Sequence, residues 1–127
     1  MTAPSGPALP WWRRLLGGGS RIDPVTALEL QRDGAVLLDV RERPEWSAGH
    51  APKARHIPLG ELDRRRREIA TGRTVLTVCR SGARSARAAA ALRRAGFTVL
   101  DVKGGMRAWD AAGLPMTASG GRPGRVA

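Results

Sequence analysis

Three short apolar runs, each followed by a helix-forming stretch, set the strongest constraint on what this chain can fold into. They are Ala35-Val36-Leu37-Leu38-Asp39-Val40, Thr74-Val75-Leu76-Thr77-Val78 and Phe97–Val102. A strand with one wet face alternates apolar and polar residues, whereas runs apolar at nearly every position are covered on both faces. The intervening stretches carry helix signals. Asp23 reads as an N-cap with Pro24 at the first helical position, the helix running to about Arg32 and ending at Asp33-Gly34. A short helix is expected around Pro44–Ala48, a brief extended piece at Arg55–Ile57, and a helix over Glu61–Ala70 with Leu62 and Ile69 on one face. In Ser85–Ala95 the face made by Ser85, Ala88, Ala89 and Leu92 is small enough to lie close to a sheet, and Gly96 caps the end. Gly104-Gly105 leads into a last helix through Trp109, stopped at Gly113-Leu114-Pro115. This alternation predicts a single α/β domain whose mainly parallel sheet is flanked by helices.

The chain's 127 residues suffice for one domain. Residues 1–20 are Pro/Gly-rich and read as a flexible N-terminal segment, residues 116–127 read as a flexible C-terminal tail, and residues 21–115 make the domain. Trp11-Trp12-Arg13-Arg14-Leu15-Leu16 falls short of the apolar stretch of roughly 7–15 residues that a secretory signal needs. Contact of this segment with a membrane surface or partner stays open. No apolar run approaches the ~20 residues that span a bilayer, so the expectation is a cytoplasmic protein with no transmembrane segment. One cysteine cannot form an internal disulfide, and one Cys with two His cannot complete a four-ligand zinc site. No metal and no cofactor are expected, and a lone Cys fits a reducing compartment.

Lys and Arg number 22 against 11 Asp and Glu, a formal charge of +11. Such a balance attracts anions, from small sulfur oxyanions to nucleic acid. Arg64-Arg65-Arg66-Arg67, however, cover all sides of a helix and read as solvated. Stable nucleic-acid binding is not expected. The arginines singled out are those beside Cys79.

That cysteine follows an apolar strand directly and precedes a helix, in Val78-Cys79-Arg80-Ser81-Gly82-Ala83-Arg84-Ser85. Strand ends of this kind are where parallel α/β sheets bind ligands. Consecutive backbone amides of such a loop can form an anion-holding nest. The helix N-terminus and the charges of Arg80 and Arg84 favour a thiolate over a thiol, and Gly82 gives the loop a residue free to take positive φ. A buried inert cysteine is the competing reading. Arginines on both sides and a Ser-Gly turn favour a nucleophile.

The segment Cys79-Arg80-Ser81-Gly82-Ala83-Arg84-Ser85 resembles the active-site loop of the rhodanese family. Leu38-Asp39-Val40-Arg41-Glu42 with Glu45-Trp46 and Gly49-His50 is similar to the family's first block, Ala54-Arg55-His56-Ile57-Pro58-Leu59 to its second, and Gly104-Gly105, Trp109 and Gly113-Leu114-Pro115 to its ending. Ala51-Pro52-Lys53 departs from the family's more usual Ile-Pro-Gly. The resemblance implies a rhodanese fold and sulfane sulfur transfer, with Cys79 taking sulfur from a donor such as thiosulfate as a persulfide and passing it to a thiophilic acceptor. It implies donor binding by the loop residues Arg80, Ser81, Gly82, Ala83 and Arg84. The loop is of the six-residue type, one shorter than in related phosphatases and arsenate reductases, which counts against phosphatase action.

Of the strand-end residues, Arg41 is the expected substrate contact. Asp39 either orients a loop arginine or fixes the strand-to-helix turn. His50 reads as structural, Trp46 and Trp109 as packing, and Arg87 as either an extension of the positive rim or an ordinary surface residue. With no second thiol the acceptor must come from outside. The alternative to a free-standing thiosulfate sulfurtransferase is a persulfide carrier or regulatory module serving a dedicated protein or RNA-modifying partner. The intact loop argues against a purely binding domain.

Overall fold

The computed structural model describes residues 20–127, so the Trp11–Leu16 segment lies outside the described residues. The strands are β1 (Arg21–Ile22), β2 (Val36–Asp39), β3 (Arg55–His56), β4 (Val75–Val78) and β5 (Val99–Val102). Between and after them come α1 (Pro24–Arg32), α2 (Arg43–Ala48), α3 (Leu62–Arg65), α4 (Ala83–Arg94) and α5 (Gly105–Ala111). The strands form one sheet in the order β1-β5-β4-β2-β3, and every pairing is parallel. After β2 the chain runs outward to the edge strand β3, then returns to the other side of β2 to enter β4. The carboxyl ends of β2 and β4 therefore lie side by side where the winding changes direction, the usual ligand position in an open α/β sheet.

Both faces of the sheet are covered, as the unalternated runs required. On one face Leu37, Leu76, Val78, Leu100 and Val102 pack with Met106 and the fully buried Trp109 of α5. On the other, Leu38, Val75, Cys79 and Val99 pack with Ala88, Ala89 and Leu92 of α4. The buried residues of α4 are Ser85, Ala88, Ala89 and Leu92, the small-residue face read from the sequence.

Several elements differ from expectation. The Glu61–Ala70 stretch is not one helix but a single α-turn, α3, between 3-10 turns at Leu59–Glu61 and Arg66–Glu68. Leu62 and Ile69 are both buried, so two anchors are kept by an irregular path. Helix α4 starts two residues early, at Ala83, because Gly82 at φ +129° serves as its N-cap. Residues 116–127, expected from composition to be a flexible tail, cross the domain. Thr117 bridges antiparallel to His50, and Arg125 N–H donates to the Ala48 carbonyl at 2.9 Å. A Cβ on Gly49 would lie 2.3 Å from the Arg125 carbonyl oxygen. The glycines on this path allow close backbone approach as well as freedom. Lys53, where the family more usually has glycine, still adopts the left-handed turn, at φ +64°, a conformation that costs a side-chain-bearing residue about 1 kcal/mol.

Candidate active site

Cys79 is the first residue after β4 and only 1% exposed. The Gly82 amide donates to its Sγ at 3.0 Å. The Gly82 carbonyl accepts from Ala86 N–H at 3.0 Å and from the Ser85 hydroxyl at 3.1 Å. Gly82 thus joins the cysteine to the first turn of α4. On the far side, Met106 N–H donates to the Cys79 carbonyl at 2.7 Å and Arg107 N–H to the Arg80 carbonyl at 3.1 Å. The start of α5 draws the carbonyls of residues 79 and 80 to itself while the Gly82 amide faces the sulfur. A loop so arranged turns one N–H donor toward Sγ and the carbonyls of residues 79 and 80 away from it. The approach requires Gly105, where a Cβ would sit 2.4 Å from the Cys79 oxygen.

Arg84 forms a bidentate pair with Glu45 of α2, at 2.6 and 2.8 Å. The bond with Arg84 holds the Glu45 carboxyl down at about 2 from an ordinary 4.5, against burial that opposes the shift. The same bond, with the neighbouring Cys79 charge adding to it, raises Arg84 against burial. Arg84 is therefore a cation fixed in the first turn of α4, directly after the cysteine loop. Glu45 also accepts from Glu42 N–H at 3.0 Å in a capping box, which locks its rotamer. In the sequence Glu45 stands out only as part of the Glu45-Trp46 motif. Its place in an acidic first helical turn was the signal that it is a fixed carboxylate.

The remaining expected site residues divide. Arg80 and Ser81 are exposed on the loop, as is Ala83 at the start of α4, and Arg80 Nε donates to the Ala127 carbonyl at 2.9 Å. Asp39 meets Arg41 and not a loop arginine. It accepts from the Arg41 amide at 3.0 Å and from the guanidinium at 2.7 Å, so the turn-fixing reading is the one the geometry gives. Arg41, expected as a substrate contact, is fully buried. It is spent on Asp39 and on the Gly49 carbonyl at 2.7 Å, with Nη1 lacking a partner among the described residues. His50 bonds the Trp46 carbonyl at 2.7 Å and His56 the Arg41 carbonyl at 2.7 Å. Both imidazoles stack on the Trp46 indole, at centroid distances of 3.6 and 4.7 Å. These residues build the wall beside the loop.

The fold and site define an α/β domain that holds one cysteine, with a loop amide donating to its sulfur, at the sheet's switch point. The model of the Rhodanese-like domain matches residues 23–112. The chain is 38% identical to the thiosulfate sulfurtransferase GlpE of Pseudomonas putida over 102 residues, covering 79% of this chain and 93% of that one. It is 42% identical over 74 residues to the putative sulfur carrier protein YrkF of Bacillus subtilis, covering 58% and 40%. A crystal structure of a rhodanese-related protein from Thermoplasma volcanium superposes with a TM-score of 0.73 at 28% identity, covering 78% and 98%. This chain belongs to the rhodanese-like domain family, whose named members here include sulfurtransferases and a sulfur carrier protein. It spans between 40% and 60% of the length of the first of its curated relatives.

Proposed function

We propose that the chain is a sulfurtransferase that moves sulfane sulfur through a persulfide on Cys79. The reading rests above all on the Gly82 amide aimed at Sγ at 3.0 Å, with Arg84 beside it. In the first half-reaction the Cys79 thiolate attacks the outer sulfur of a donor such as thiosulfate. The S–S bond of the donor breaks, and sulfite leaves with the electron pair. In the second, an acceptor thiolate or cyanide attacks the outer sulfur of the persulfide, and the Cys79 thiolate is the leaving group. No redox partner is consumed. The amides and the helix N-terminus that favour the thiolate also favour the persulfide anion. Donor binding falls to Arg80, Ser81, Gly82, Ala83 and Arg84. The buried Arg41 supports the wall and not the donor.

The carrier reading is favoured by the name of the Bacillus subtilis relative and differs only in the acceptor. Intact mass decides the shared step. Incubation with thiosulfate is expected to add one sulfur, roughly 32 Da, removable by a reductant. Cys79→Ser is expected to keep the fold and abolish both the adduct and thiocyanate formation. A folded wild-type chain that gains no mass defeats the proposal. Transfer to small thiols at rates comparable to protein acceptors favours the free-standing enzyme, and transfer to a protein acceptor alone favours the carrier.

A further inference from the structure

Residues 116–127 reach the cysteine loop by a path that the sulfur chemistry above does not use. Thr117 and Pro123 face each other across an antiparallel bridge, and Ala118 N–H donates to the Arg122 carbonyl at 2.7 Å. A turn at Ser119–Gly121 joins the two arms. The first arm is anchored by Thr117, which exchanges two backbone hydrogen bonds with His50, each 2.9 Å. The second is anchored by Arg125 N–H on the Ala48 carbonyl at 2.9 Å and by Val126, packed against the core that holds Met106 and Trp109. It arrives at the loop, where Arg80 Nε donates to the Ala127 carbonyl at 2.9 Å.

That last bond ties up a side chain that the donor needs. Among the described residues it is the one hydrogen bond of the Arg80 side chain, and Arg80 is exposed. A guanidinium clamps an oxyanion side-on with Nε and one Nη together, a grip Arg80 cannot make while Nε serves a carbonyl. The carbonyl is a neutral acceptor held by a single bond. An oxyanion brings full charge and a second, parallel bond, so it displaces the carbonyl.

We infer that residues 122–127 are a latch on Arg80, closed in the free protein and released when a sulfur oxyanion takes the guanidinium. Latch and anion compete for one side chain, so each weakens the other by the same factor. The inference rests on the assignment of Arg80 to donor binding and adds a gate to it, but its test does not need sulfur transfer.

Gly124 is the place to loosen the second arm without touching the loop. A Cβ there would lie 2.9 Å from the Thr117 carbonyl carbon and oxygen and 3.0 Å from Gly49 Cα, so Gly124→Ala pushes the arm off both neighbours. In the full-length chain, alkylation of Cys79, the single thiol, is timed with iodoacetate, an anion, and with iodoacetamide, its neutral analogue. Gly124→Ala is expected to raise the iodoacetate rate about threefold to tenfold and to leave the iodoacetamide rate within about twofold. Val126→Ser removes the arm's apolar anchor and is expected to act the same way; it stands in should circular dichroism show Gly124→Ala unfolded. In the reverse direction, sodium sulfite is compared with sodium chloride at equal ionic strength. Sulfite is expected to speed exchange of the Arg125 amide hydrogen in wild type by about the same factor, while the Thr117 amide, held by His50, does not respond. Arg80→Ala is expected to abolish the sulfite effect. Equal acceleration of both alkylating reagents overturns the latch, because the arm then only covers the cysteine. An Arg125 amide blind to sulfite, or a sulfite response that survives Arg80→Ala, overturns it as well. A latch that responds to sulfite in a chain that takes no sulfur from thiosulfate overturns the sulfur-transfer reading and leaves the latch standing.

Discussion

Two arginine–carboxylate clusters in this molecule look alike in sequence and differ in what they can do. Around α3, Arg65 pairs with Glu61 at 2.9 Å and Glu68 at 2.7 Å, Arg64 with Glu61 at 3.5 Å and Arg66 with Asp63 at 3.3 Å. These four are local, made within one or two turns of a surface segment, and the one longer link, from Arg43 of α2 to Glu61 at 3.7 Å, starts from an exposed arginine. The Arg84–Glu45 pair joins residues 39 apart in sequence, with the Glu45 side chain 19% exposed. It ties the cysteine loop to α2. Local pairs can re-form in many ways and are screened by salt. The long-range pair is bidentate and holds a cation at the start of α4, next to the cysteine loop. Charge count alone does not separate them, but the place of the carboxylate does.

The largest effect is expected from changing Arg84 alone. Arg84→Ala is expected to lower turnover with thiosulfate by about tenfold to a hundredfold. That loss is expected to persist at high salt. An effect that vanishes with salt would put Arg84 in the same class as the α3 arginines.

Glu45→Gln is expected to act mainly on stability, lowering it by about 1 kcal/mol at neutral pH. It is also expected to remove a pH dependence. Glu45 ordinarily titrates near 4.5 and is held by Arg84 at about 2. A depressed carboxylate contributes stability fully above its ordinary value, and the contribution is lost as the pH falls through the native one. Wild type should therefore weaken between about pH 4.5 and 2 by more than Glu45→Gln does, as thermal melts across that range will read. Equal slopes would mean the pair contributes nothing to folding.

The smallest effect is expected from changing Arg64, Arg65 and Arg66 together to Gln. Sulfur transfer should slow only at low salt, and the melting temperature should be nearly unchanged. Kinetics at two ionic strengths check this, and a salt-independent loss would give α3 a role in the site.

The comparison also marks what could be read from the sequence. The sheet, its two covered faces and the position of the Cys79 loop were legible because each is written in consecutive residues: apolar runs, the buried face Ser85-Ala88-Ala89-Leu92, a cysteine at a strand end. Glu45 was not, because its role depends on Arg84, a partner 39 residues away that the sheet crossovers bring to it. Strand position put Asp39 and Arg41 at the end of β2, but could not show the burial that turns Arg41 inward to Asp39 and Gly49. The path of residues 116–127 was hidden for a further reason. The glycines that composition reads as freedom let Gly49 and Arg125 touch backbone to backbone.

Gly105 has a consequence of the same kind for how this site would be traced through evolution. A Cβ there would lie 2.4 Å from the Cys79 oxygen and 2.5 Å from the Arg80 oxygen. The contact between the nucleophile loop and the start of α5 is made by main chain alone. Pairs of positions that touch through side chains can trade substitutions and leave a correlated record. This pair has no side chain to trade, so the tightest joint in the site is silent to covariation and would register only as a glycine that does not change.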